Sequence, residues 1–195
     1  MILPVVAYGD PVLKKEAEDF DLKKKEELNS FISDLFETME NSAGVGLAAP
    51  QVGESVRVFV VDTSPFAEDD ELPEDERDEL KKLRKAFINP IIVEEHGEEW
   101  AFTEGCLSIP GIREDVYRQS EIVIEYYNEN LKLVEETYSG LAARVIQHEY
   151  DHIEGVLFTD KLKPLKRRLL QKKLTNISKG KVNVDYRMRF PTKKR

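Results

Sequence analysis

GLAARVIQHEYDHI, residues 140–153, is an apolar run interrupted by polar residues, and it holds two of the chain's three histidines. Its pattern predicts a helix. Residues four apart on a helix are rotated by only about 40° and separated by one turn. His148 and His152 therefore project side by side and can bind one metal ion, while Glu149 points to the flank as a base, the arrangement of an HExxH motif; two histidines satisfied in a core by hydrogen bonds are the alternative.

The rest of the chain supplies a frame for that helix. Leu28, Phe31, Ile32, Leu35 and Met39 recur at helical spacing, so residues 23–41 read as an amphipathic helix that packs on a core. SAGVGLAAPQVGE (42–54) carries glycines and a proline and reads as a loop or irregular strand. VRVFVVD (56–62), AFINPIIVEE (86–95), EEWAF (98–102), EIVIEYYN (121–128) and KLVEETY (132–138) are β-rich runs, with YNENLK (127–132) as a hairpin turn. The charge-dense segment 64–85 reads as a surface insertion. Residues 164–178 read as a further helix. The fold class that follows is α+β, a mainly antiparallel β-sheet packed around the central HExxH helix with a C-terminal helix. The organisation is one metallohydrolase domain over 1–163, followed by a basic helix and tail over 164–195.

Composition sets the bounds. With 195 residues, 41% hydrophobic and 34% charged, the chain can bury a core without disulfides, and its single cysteine allows no internal one. The start lacks a signal-peptide pattern, and no segment approaches the roughly 18 apolar residues of a membrane span, so a cytoplasmic protein with no membrane partner is expected. The net charge of −9 conceals a division: residues 161–195 hold fourteen basic residues against one acidic, and residues 1–160 fifteen against thirty-seven. The basic end reads either as a solvated helix face or as a surface for an anionic partner, nucleic acid before membrane.

Two histidines leave a catalytic metal short of its usual third protein ligand. Cys106, in TEGCLSIPG (103–111), is the candidate, because Gly105 and Pro110 make that segment a shaped strand or loop. A lone cysteine is otherwise a small buried apolar side chain.

GVGLAAPQ (44–51), EGCLS (104–108) and QHEYDH (147–152) together resemble the three signatures of peptide deformylases, in order and over nearly the whole chain. The resemblance implies removal of the N-formyl group from the initiator methionine of new polypeptides. It implies Cys106, His148 and His152 as metal ligands, Glu149 as acid and base, and Gln51 with the Leu107 N–H as oxyanion donors. Gly46 is then expected to offer backbone contacts to the substrate, and Arg113 matches an arginine that lies near the bound peptide. Leu141, Val145 and His148 share a helix face, against which, with Val45, the methionine side chain is expected to insert. Arg144 stands where some members carry an apolar residue, and as a charged side chain it is expected at the pocket rim. Glu104 is expected to orient a ligand histidine, with an exposed strand glutamate as the alternative. The resemblance favours Fe²⁺ in the cell, with Zn²⁺, Ni²⁺ or Co²⁺ as substitutes, and associates the C-terminal helix with ribosome (rRNA) binding. An HExxH metallopeptidase and a non-catalytic metal-binding module are the other readings of the motif.

Overall fold

The computed structural model describes residues 1–191; the end of the basic tail, 192–195, lies outside the described residues. Strand β1 (Val5–Val6) is followed by helix α1 (Lys25–Asn41), β2 (Gly46–Ala48) and β3 (Val58–Asp62). Next come α2 (Glu74–Lys82), β4 (Arg84–Cys106), β5 (Ile109–Tyr127) and β6 (Leu133–Ser139). Helices α3 (Gly140–Ile153) and α4 (Pro164–Ser178) and strand β7 (Met188–Arg189) complete the order. Strands β2 to β6 form one antiparallel sheet in sequence order, and β1 pairs with β7 in parallel.

Alternate residues of a strand face opposite sides of the sheet, and here both sides are covered. Val58 and Val60 of β3, with Leu47, Ala86 and Ile88, pack on Leu28, Ile32, Leu35 and Met39 of α1. Phe59 and Val61, with Phe87, Ile122 and Tyr126, pack on Ala143, Ile146 and Ile153 of α3. Two-sided burial is why β3 reads as an unbroken apolar run instead of an alternating one. Phe87 is central to the α3 side: its ring centroid lies 4.9 Å from Phe59 and 4.4 Å from Tyr126.

The runs 86–95 and 98–102 are one strand. β4 stays continuous by absorbing irregularities, including one between His96 and Glu99 where Gly97 takes a φ of +85°. Its partner β5 begins at Ile109, far upstream of the expected 121, because pairing along the hairpin orders residues whose own sequence carries Pro110, Gly111 and many charges. The hairpin turns at Leu107 and Ser108, immediately after Cys106.

Two segments are more integrated than their composition suggests. Segment 64–85 forms a 3-10 turn (Ser64–Glu68) and α2, and buries Ala67 and Leu80 against Leu141 of α3. Pro73 ahead of acidic Glu74, Asp75 and Glu76, with Lys81 and Lys82 in the last turn, is the sequence signal of that helix. Helix α4 buries Leu170, Leu174 and Ile177 in a cluster with Val6, Ile109, Ile112, Val116 and Phe158. Beyond it the chain returns to the body, where Val5 N–H donates to Arg187 O and Ala7 N–H to Arg189 O, each at 2.9 Å. Among the described residues no helix is long and apolar enough to cross a membrane.

Replacing Phe87 with Ala is expected to destabilise the fold by about 3–5 kcal/mol, and Leu174→Ala in α4 by about 2–5 kcal/mol. Equilibrium denaturation checks both; a Leu174→Ala midpoint equal to the parent's would mean that α4 does not share the core.

Candidate metal centre

Three sequence-remote segments converge where α3 crosses the sheet. The helix starts directly from β6 at Gly140, whose φ of +57° makes the sharp entry. It brings His148 and His152 against the end of β4, with ring centroids 5.1 Å apart. Cys106 Sγ lies 3.4 Å from His152 Nε2, and the ligand atoms of Cys106, His148 and His152 all fall within 4.8 Å of one another.

His148 is oriented by Glu104, whose Oε2 lies 2.9 Å from His148 Nδ1. That contact engages Nδ1 and leaves Nε2 for the centre. Glu104 is itself buried and is gripped by Arg118, Nε to Oε1 at 2.6 Å and Nη2 to Oε2 at 3.0 Å, and by Arg144 Nη1 at 3.0 Å. Burial alone would raise its pKa, but the Arg118 and His148 bonds hold it well below the usual carboxylate range. The expectation that Glu104 orients a ligand histidine thus matches the geometry, and the exposed-glutamate alternative does not. Burial disfavours charge on both imidazoles. Cys106 and Glu104 nevertheless hold the His148 pKa well above the ordinary value, whereas His152, beside His148 and Arg118, is held well below it.

Glu149 is buried, and its Oε2 has no hydrogen-bond partner among the described residues. Burial pushes its pKa up to about 7, the range in which a carboxyl both takes and gives a proton near neutrality. Strand β2 passes directly over it. A Cβ on Gly46 would stand 2.7 Å from Glu149 Cγ and Cδ, so this close approach requires glycine. Gln51, in a 3-10 turn (Ala49–Val52) after β2, accepts from Ala48 N–H at 2.9 Å through Oε1. Its Nε2 is thereby aimed at the centre, 3.4 Å from both Cys106 Sγ and Ser108 Oγ.

A cleft of about 450 Å³ opens here, bordered by Val45, Gly46, Gln51, Leu107, Val145 and Glu149. Arg113 is exposed and lies over Gly105 at its border. One expectation needs correction and one needs refinement. Leu141 does not border the cleft; it is one turn too far along α3 and sits beneath segment 64–85 with Ala67 and Leu80. Arg144 does border the cleft but offers it no free charge: it is 2% exposed, bonded to Glu104 and to the carbonyls of Val116 (2.9 Å) and Trp100 (2.7 Å), with its guanidinium 4.5 Å over the Trp100 ring.

Three aromatic residues that border the cleft escaped the sequence reading: Phe66, Phe102 and Tyr186. Phe66 and Phe102 meet edge to face at 6.3 Å. The Tyr186 hydroxyl donates to Leu107 O at 2.7 Å, and burial and the nearby Cys106 sulfur push its pKa up to about 12. The aromatic residues SPF and EEWAF were visible as such, but only the folded chain brings them to one cleft.

The residues fit a divalent ion: one thiol and two imidazoles within reach of one another, the remaining nitrogen of His148 held by a carboxylate, and an unpartnered buried carboxylate oxygen beside them. A family profile described as polypeptide deformylase matches residues 2–168. The peptide deformylase of Christiangramia forsetii is 65% identical over 195 residues, covering 100% of this chain and 99% of that protein. That of Flavobacterium johnsoniae is 56% identical, again over 100% of this chain and 99% of its own length. The crystal structure of a Legionella pneumophila peptide deformylase superposes with a TM-score of 0.77 at 37% identity, covering 93% of this chain and 98% of that one. With the profile spanning most of the sequence and full-length relatives well above half identical, the chain belongs to the peptide deformylase family.

Proposed function

We propose that this chain performs the deformylase reaction through Glu149, Gln51 and the Leu107 N–H, on a divalent metal held by Cys106, His148 and His152. The reaction is the hydrolysis of the N-formyl group of formylmethionine at the start of new polypeptides, which releases formate. The observation that carries the assignment is the convergence of segments 44–51, 104–108 and 147–152 on one cleft. Family membership does not favour the metallopeptidase or the non-catalytic metal-binding reading of the same motif.

When bound, the ion supplies Lewis acidity, polarising a carbonyl and lowering the pKa of water from about 15.7 toward about 7. Glu149 takes the proton of the attacking water and later passes it to the leaving amine. Gln51 Nε2 and the Leu107 N–H donate to the formyl oxygen as it gains negative charge, a role worth about 2.7–4 kcal/mol for one such donor. The methionine side chain packs against Val45 and Val145, with Phe66 and Phe102 adding aromatic wall, and Gly46 and Arg113 flank the peptide. Thiolate with imidazole suits both Fe²⁺ and Zn²⁺; we assign Fe²⁺ in the cell, with Zn²⁺, Ni²⁺ or Co²⁺ able to replace it.

The exposed face of α4 carries Arg168, Lys172 and Lys173 beside Leu165 and Leu169, which are 71% and 70% exposed. Lys166 and Arg167 are partly engaged by Glu114 and Asp160. This face is assigned to docking on ribosomal RNA, close to where formylated chains emerge.

Cys106→Ala, His148→Ala and His152→Ala are expected to lose bound metal and turnover together, whereas Glu149→Ala should retain metal and lose turnover of a formyl-Met peptide. Metal analysis beside formate release decides this; an active Glu149→Ala enzyme would sink the mechanism.

If iron is the working metal, protein purified in air should lose activity as Fe²⁺ oxidises or the thiolate is attacked, and Ni²⁺ or Co²⁺ should restore stable activity. Equal activity of aerobic and anaerobic preparations, with zinc in both, contradicts the iron assignment.

Because α4 shares the core, charge reversal tests docking better than truncation. Arg168→Glu with Lys172→Glu and Lys173→Glu should abolish salt-sensitive cosedimentation with ribosomes and leave hydrolysis of a short formyl-Met peptide intact. Unchanged cosedimentation returns the face to a solvated surface.

A further inference from the structure

The turn that carries Cys106 and Leu107 is held from outside by the two ends of the described chain. Ser108 O accepts from Tyr8 N–H at 2.8 Å, and Leu107 O accepts from the Tyr186 hydroxyl at 2.7 Å. The segments supplying these donors are tied to each other, since Val5 pairs with Met188 and Val6 with Arg189. The same return segment reaches the Gln51 turn, because the Arg189 guanidinium packs over Gly53, where even a Cβ would collide with it. One short clasp therefore touches both turns from which the oxyanion donors are proposed to come. The family profile ends at residue 168, so Tyr186 and β7 lie outside the part that the profile matches.

We infer that the return segment 179–191 is a working part of the cleft and that Tyr186 is a positioning residue: its hydroxyl fixes the Leu107 carbonyl, and with it the setting of the adjoining Leu107 N–H. Leu107 and Ser108 lie between the last residue of β4 and the first of β5, with a register shift just before them. Without the Tyr186 hydrogen bond, rotation about the Leu107 Cα–C bond would leave an unpaired carbonyl at the border of the cleft. The Tyr186 bond takes up that carbonyl and removes it as a competing acceptor. A positional error of a fraction of an ångström in an oxyanion donor affects the transition state more than substrate binding, because the bond is strongest when charge has developed on the oxygen. The Tyr186 ring meanwhile closes one side of the cleft, which bears on binding of the peptide itself.

This inference rests on the deformylase assignment above, and the parent enzyme separates the two: failure of the parent to release formate overturns the assignment, whatever the variants do. With an active parent, Tyr186→Phe is expected to lower kcat about three- to tenfold with KM, metal content and thermal midpoint unchanged, since only one hydrogen bond is removed. Tyr186→Ala, which also removes the ring, is expected to lower kcat similarly and raise KM for formyl-Met peptides. Parent-like kcat for Tyr186→Phe overturns the positioning role, and so does a kcat loss that tracks a loss of metal or a lowered midpoint, the signature of a merely structural contact.

Discussion

A carboxylate taken out of water is stable only when its charge is answered, and Glu104 is answered from three directions at once. Arg118 meets it along the neighbouring strand, Arg144 and His148 reach it from successive turns of α3, and Arg118 goes on to Asp151 of the same helix at 2.7 Å. Removing one member of such a buried network leaves charge uncompensated, at a cost of about 3–5 kcal/mol in comparable cases. The network sets the angle at which α3 lies on the β4–β5 hairpin, and the positions of both histidines follow from that angle. Structure and chemistry are therefore coupled through a residue whose carboxylate oxygens are both taken up by protein partners.

The sequence made the centre legible because its parts obey local rules. His148 and His152 share a face by helical period alone, and α3 spans the very residues whose pattern announced it. Gly46 and Gln51 were legible only through the resemblance to a known family. No propensity argument says that a strand must pass within contact of Glu149, or that an amide should be turned by the N–H of Ala48.

What stayed hidden was long-range. Arg144 borders the cleft, but helical spacing ranks residues only by direction and could not show that its guanidinium turns inward to a buried acid on β4. Leu141 shares that direction, but the cleft ends before its turn and segment 64–85 covers it. The second half of the hairpin was missed because strand pairing orders residues 109–120 against their local preferences. Tyr186 carried no signal at all: an isolated tyrosine in a polar tail becomes significant only once its strand is seen to return.

The β1–β7 pair joins positions 183 apart in sequence through two residues a side, whereas the β4–β5 and β5–β6 hairpins pair near neighbours. Closing so long a loop for so few rungs is entropically unfavourable until the intervening chain is already compact. The clasp is thus a late arrival in folding, although once formed its Val5, Val6 and Ala7 are fully buried. Because the Val5 and Ala7 amides are bonded across the clasp, their protection against hydrogen exchange is a gauge of how much of the population has that wall of the cleft shut.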